Sequence, residues 1–162
     1  PLQLATYCAT IANNGTRLKT HLVKQVTNYN RDQVISETEP EVVAQVDISE
    51  ENLKTVQEAM KGVTQSGGTA NSVFGDYGIT IAAKTGTAEN PGHSDNVTFI
   101  AYAPYDDPEI AVAVVLEYGS RGTYSMNVAK DIFDAYFYGK TVDENGNLVM
   151  PEETNSSSTA NE

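Results

Sequence analysis

Apolar positions change period several times along the chain, and each change marks an element. Residues 2–13 carry Leu4, Ala5, Cys8, Ala9, Ile11 and Ala12 at helical spacing, with Asn14-Gly15 as a C-terminal stop. Between Arg17 and Tyr29 the pattern is mixed, and Leu22, Val23 and Val26 allow a short extended segment. Residues 30–47 are polar and acidic, with Val42–Val46 as a further short strand. Ser49-Glu50-Glu51 then reads as a helix start, the serine capping and the acids facing the positive end of the helix dipole. Leu53, Val56, Met60 and Val63 continue at intervals of three and four, which predicts an amphipathic helix over 50–65 ended by Gly67-Gly68.

Period two replaces period 3.6 in the middle of the chain. Ile79, Ile81 and Ala83 alternate with Thr80 and Ala82, so 78–89 reads as a half-buried strand. Val97–Pro104 and Glu109–Tyr118 follow, joined by the turn-rich Tyr105-Asp106-Asp107-Pro108, as in an antiparallel hairpin. Ile110–Leu116 is apolar at every position, which predicts a central strand covered on both faces. The last helix is expected over about 124–138, with Met126, Ala129, Ile132, Phe133, Tyr136 and Phe137 on one side and Gly139 as its stop. Beyond 140, Asn145-Gly146 suits a small hairpin between Val142 and Leu148. Residues 151–162 have nothing to bury and are expected to be disordered. The pattern therefore divides the chain into an α+β unit over 1–139 and an acidic appendage over 140–162.

Composition narrows the class. The 162 residues suffice for one modest core. Ten basic against 22 acidic residues give a net charge of −12, which argues against nucleic acid and anionic membrane as partners. No apolar run is long enough to span a membrane, so membrane attachment is expected only through an upstream anchor. Cys8, the single cysteine, sits among small apolar residues and reads as a buried thiol. The chain opens on Pro1 directly into a helical pattern, without the capping residue that normally precedes such a proline. The reading is of the C-terminal part of a longer protein.

Chemistry concentrates in Lys84-Thr85-Gly86-Thr87. A lysine, two hydroxyls and a glycine within four residues at a strand end suit a carboxylate. The ammonium supplies charge, the hydroxyls supply directed donors, and the missing side chain at Gly86 admits a ligand backbone. Taken alone, the same residues also make an ordinary polar strand end that runs into the turn at Pro91-Gly92. His21, His93 and Arg121 fall in loops and read as solvated. Asp143, Asn145 and Asn147 imitate the start of a calcium loop without its remaining ligands, so no metal and no cofactor is expected.

In context, Ala82–Glu89 resembles the third active-site motif of the penicillin-binding proteins, the serine transpeptidases of peptidoglycan synthesis. Pro1-Leu2-Gln3-Leu4-Ala5, Ile11–Gly15 and Gly68-Thr69-Ala70 resemble that family in the same order, and the likeness, strongest to the class B enzymes, covers about 1–139. It implies the α+β fold shared by these transpeptidases and the serine β-lactamases, here as a three-stranded antiparallel sheet with packed helices. It also implies that the strand matching Glu109–Tyr118 has a further neighbour in the N-terminal part of the same domain.

The resemblance implies acyl transfer through a serine, with stem peptides and β-lactams as ligands, at the outer face of the bacterial plasma membrane. Carried over by motif, Lys84 and Thr87 are catalytic. Lys84 provides positive potential and assists proton movement, and the Thr87 N–H is an oxyanion donor. Thr85, Gly86, Thr87 and Ala88 bind substrate, the two threonine hydroxyls holding its terminal carboxylate. Gly68-Thr69-Ala70 would stand beside the cleft, supporting the strand.

Two family motifs are not found in order. No serine is followed three residues later by lysine, and Ser94-Asp95-Asn96 and Ser125-Met126-Asn127 come after the lysine motif, not before it. Both read as structural, and the nucleophile is expected upstream. A carboxypeptidase, a β-lactamase or a non-catalytic β-lactam sensor of the same fold would share the motif that is present. The Pro-Leu-Gln-Leu-Ala helix and the Lys-Thr-Gly-Thr-Ala run favour the transpeptidase.

Overall fold

The computed structural model describes residues 1–151. Helix α1 (Leu2–Ala12) ends where Asn14 and Gly15 both take the left-handed conformation. Strands β1 (Thr16–Leu18), β2 (Gln25–Thr27), β3 (Val34–Glu37) and β4 (Val42–Gln45) follow, then α2 (Glu50–Gly62) and the short α3 (Asn71–Phe74). Strands β5 (Ala82–Ala88), β6 (Asn96–Ala103) and β7 (Ile110–Leu116) form the main sheet. Helix α4 (Gly122–Tyr138) and a hairpin of β8 (Thr141–Val142) and β9 (Leu148–Val149) complete the order.

Several expectations hold. Ser49 caps α2, its side chain accepting from the Asn52 N–H at 3.3 Å. Gly139 closes α4 at φ 66°, and Val142 pairs with Leu148. Cys8 is fully buried, and burial pushes its thiol up to about 12. The expected tail beyond Pro151 lies outside the described residues.

The main sheet is antiparallel in the order β5-β6-β7. One face packs Ala83, Phe99, Ala101, Val112 and Val114 against Phe74 of α3 and Met126, Ala129 and Phe133 of α4. The other face packs Ala82, Ile100 and Tyr102 against Cys8 and Ile11 of α1 and Leu53 and Met60 of α2. A sheet covered by helices on both sides buries its middle strand completely, and here that strand is β6, buried from Phe99 to Ala103.

The reading of Ile110–Leu116 as central includes a further neighbour from the N-terminal part of the domain, outside this sequence. Among the described residues β7 pairs only with β6, and its outward edge faces no strand. Its unbroken apolar composition comes from helix cover on both faces, which a buried edge strand needs as much as a central one.

Strand β5 also starts later than alternation suggests. Its partner β6 ends at Ala103, and the following Pro104 has no N–H to continue a ladder. The carbonyls before Ala82 find other donors. Thr80 O accepts from the Tyr105 N–H at 2.8 Å, and Ile81 O accepts from the buried Thr64 hydroxyl at 2.7 Å. Ile81, Ala82 and Ala83 are all buried, so this end is covered on both faces and not half-buried as expected. Helix α2 stops at Gly62, three residues before the expected end, and the chain turns there toward β5.

The remaining strands form two small ribbons, β1 with β4 and β2 with β3. Ribbon β2–β3 stands in solvent, with Val26, Val34 and Ile35 exposed. The Asp143 carboxylate accepts from the Asn145 N–H, the Asn147 N–H and the Asn147 side chain, so this run is a turn fastened on itself.

One buried charge fastens the end of α4. Asp134 is 3% exposed and accepts from Lys130, Lys140 and the Tyr77 hydroxyl, each at 2.8 Å. Burial alone raises its carboxyl, but the three donors outweigh burial and hold it below the usual carboxylate range. A depressed folded value means that the cluster stabilises the fold above the unfolded carboxyl's titration near 4. That contribution is lost as pH falls through the folded value.

Asp134→Asn is therefore expected to cost about 2 kcal/mol at pH 7, less than a fully buried pair because both lysines keep part of their surface in water. Denaturant melts of both forms from pH 7 down to pH 2 should show the difference shrinking at the acid end. A constant difference would show that the charge contributes nothing.

Candidate active site

Strand β5 forms the other edge of the main sheet, and the chemistry-bearing residues occupy its second half. Alternation divides them. Lys84 and Gly86 lie on the face toward α1 and α2, whereas Thr85 and Thr87 lie on the face toward α3 and α4. Helix cover ends at Ala83, so Lys84, Thr87 and Ala88 are exposed and Thr85 and Gly86 are half-buried.

The Lys84 ammonium folds over its own strand and donates to Thr85 O at 2.6 Å. It has no carboxylate partner among the described residues, leaving its charge free to meet an incoming anion. Residues two apart in a strand turn their backbone groups to the same edge. The Thr85 carbonyl under the ammonium and the Thr87 N–H therefore share one edge.

Thr85 is held from outside the strand, its Oγ1 lying 3.0 Å from Thr69 Oγ1. Thr69 belongs to a turn that follows α2. Within that turn the Ala70 N–H donates to Val63 O at 2.9 Å and the Gly68 N–H to Gln65 O at 2.8 Å. A side chain at Gly68 would overlap the carbonyl oxygens of Gly62 and Val63, so only glycine permits this closure. Asn71 Nδ2 donates to Thr64 O, and Thr64 Oγ1 donates in turn to Ile81 O. One turn thus grips the chain at Ile81, just before β5, and again at Thr85 within it.

Gly86 faces Thr98 across the ladder, and a Cβ there would overlap the Thr98 hydroxyl. The glycine lets two strands and a hydroxyl share space that any side chain would fill. Thr98 and Thr64 have no signal in the sequence alone, since their roles depend on cross-strand register and on a contact seventeen residues away.

The other candidates lie elsewhere. Asn96 accepts from the Tyr118 N–H at 2.9 Å and Asp95 O from the Ser120 N–H at 3.0 Å, so 94–96 braces the loop after β7. Ser94 is exposed in that turn. Ser125 is buried in the first turn of α4 and donates to Gly122 O at 2.8 Å. His93 packs against the Tyr118 ring, with centroids 5.4 Å apart, and Arg121 is exposed just before α4. His21 is exposed on the approach to β2. The surface grooves beside α1, of about 560 and 440 Å³, include no residue of β5.

Residues 1–137 match the family model described as the penicillin binding protein transpeptidase domain. The chain is 36% identical over 156 residues to penicillin-binding protein 2A of Bacillus subtilis, covering 85% of this chain and 22% of that protein. It is 28% identical to the peptidoglycan D,D-transpeptidase MrdA of Haemophilus influenzae, covering 84% and 23%. Among solved structures it is similar to penicillin-binding protein 2B of Streptococcus pneumoniae. That match has a TM-score of 0.72 and 33% identity, and covers 84% of this chain and 24% of the other. An imipenem acyl-enzyme of penicillin-binding protein A from M. tuberculosis matches with a TM-score of 0.70 at 29% identity, covering 84% and 30%. The chain therefore spans about a quarter of the length of these relatives.

Packing at Gly86 is open to a direct test. Gly86→Ala is expected to destabilise the fold by about 1–3 kcal/mol through overlap with Thr98. Adding Thr98→Ala removes the hydroxyl, leaving Thr98 Cβ 3.7 Å from the new methyl, and should recover most of the loss. Equal melting temperatures for the single and double variants would contradict this account.

Proposed function

Since the chain belongs to the penicillin-binding transpeptidase family, we propose that it is the C-terminal portion of a peptidoglycan D,D-transpeptidase domain. It contributes the carboxylate-binding and oxyanion side of the site, and the serine nucleophile lies on a segment outside this sequence. The observation that carries the reading is the bare edge of β5, where adjacent residues supply an ammonium bonded to the Thr85 carbonyl, without a carboxylate partner among the described residues, and a threonine hydroxyl braced by Thr69.

In this reading the upstream serine oxygen attacks the carbonyl between two D-alanines of a stem peptide. The serine proton passes to the departing D-alanine nitrogen as the C–N bond breaks, and a second stem's amine then displaces the serine oxygen from the acyl carbon, its proton returning to that oxygen. The residues of this chain act on charge and position. The Thr85 and Thr87 hydroxyls donate to the terminal carboxylate, and Lys84 supplies the positive potential that draws it in. The Thr87 N–H, fixed in the strand, donates to the oxyanion as the carbonyl becomes tetrahedral. Gly86 brings the backbone of the strand to the acyl group without a side chain of its own, and Ala88 continues the binding edge.

A β-lactam carries a carboxylate beside a strained amide and would enter by the same contacts. The donor substrate is extracellular, which puts the site at the outer face of the plasma membrane. No helix among the described residues is long and apolar enough to cross that membrane.

Two measurements test the proposal. Incubated with labelled penicillin, this chain alone should give no covalent adduct by mass spectrometry, because binding groups without an activated nucleophile form no acyl bond. A stoichiometric adduct on Ser94 would place the chemistry elsewhere. In the full-length protein, Lys84→Ala should slow acylation by about 100-fold with little change in melting temperature, since the exposed lysine contributes charge and not packing. An unchanged rate in a stable variant would remove Lys84 from the mechanism.

A further inference from the structure

We infer that Thr69 is a positioning residue for the acyl-transfer reaction, which aims the single proton of the Thr85 hydroxyl at the ligand's carboxylate. The inference rests on the function proposed above. Thr69 Oγ1 and Thr85 Oγ1 are 3.0 Å apart, and a hydroxyl has one proton and two acceptor positions. Only one of the two can donate to the other. If Thr85 donated to Thr69, its proton would be spent inside the protein and the anion would face lone pairs. An anion beside Thr85 therefore selects the opposite arrangement, in which Thr69 donates and Thr85 turns its proton outward. Accepting a bond also polarises the Thr85 hydroxyl and strengthens it as a donor.

The surroundings suit this task. Thr69 is exposed, so its own oxygen can accept from water while its proton is given to Thr85. Its backbone does not drift, because Gly68 is packed against two carbonyls and Ala70 is tied to Val63. The second hydroxyl of the same region, Thr64, is buried and bonds the carbonyl of Ile81 just before β5, a contact that holds the entry to the strand and leaves Thr69 to orient a side chain. Positioning of this kind acts on the carboxylate alone. It therefore predicts a change in discrimination between ligands that have a free carboxylate and ligands that lack one, beyond any general loss of rate.

The test uses the full-length protein, with benzylpenicillin and its methyl ester as probes and second-order acylation rates as the readout. Thr69→Val keeps the shape and removes the hydroxyl. It is expected to lower the acid-to-ester rate ratio about fivefold, the worth of one ordinary hydrogen bond. Thr69→Ser should restore the ratio to within twofold of wild type. Thr85→Val should lower the ratio at least as far, and Thr69→Val added to it should lower it no further, since the two hydroxyls act as one unit. A ratio within twofold of wild type in Thr69→Val, or losses that multiply in the double variant, would overturn the inference. Failure of the underlying function looks different: wild type would not be acylated, or Thr85→Val would match it. A damaged Thr85→Val beside an intact Thr69→Val would sink the positioning role alone.

Discussion

The burial of β6 on both faces is the constraint on which the rest depends. Phe99 through Ala103 are all buried, so every backbone polar group in that stretch must find its partner in a neighbouring strand. Strands β5 and β7 supply those partners residue by residue, in registers without a shift. Slipping β5 by one position would exchange the faces of Ala83 and Lys84, driving the ammonium against the helix that covers Ala83. The placement of Lys84 just beyond the helix cover is thus a consequence of packing some distance away.

Around that fixed ladder, small residues and hydroxyls determine how closely elements approach. Gly68 lets a turn close on its own carbonyls, and Gly86 lets Thr98 fill the space of a side chain. Thr64 satisfies the carbonyl of Ile81 where the ladder stops, a bond that a valine of the same shape would leave open. The Tyr102 hydroxyl contrasts with this economy. It is buried between α1 and α2 without a hydrogen-bond partner among the described residues, and burial raises its pKa above the ordinary range.

Local chemistry was readable where periodicity and turn residues act over a few positions. Helices α1, α2 and α4, the cap at Ser49, the stops at Asn14-Gly15 and Gly139, and the hairpin of β6 with β7 all follow from such signals. The residues of the candidate site were legible through their motif. What joins them to the fold was not. The Thr69–Thr85 contact spans sixteen residues, and the pairing of Thr16 with Gln45 spans twenty-nine. Neither leaves a mark on local sequence. Strand order within the sheet was equally beyond the reach of local pattern. Apolar continuity reports that both faces are covered and carries no information about whether an edge is paired, so Ile110–Leu116 and Phe99–Ala103 look alike in composition.

The Lys84 ammonium, without a carboxylate partner among the described residues, also sets up a competition of fields. This chain carries a net charge of −12, and its far field repels any anionic ligand. The attraction of Lys84 acts only over a few ångströms at the end of the approach. Mobile ions screen the two unequally, because the screening length is about 8 Å at physiological ionic strength. Added salt weakens the long-range repulsion strongly and the final contact little. For the part of the encounter governed by this chain, anion capture should become easier as ionic strength rises, the reverse of what a site embedded in a basic surface shows.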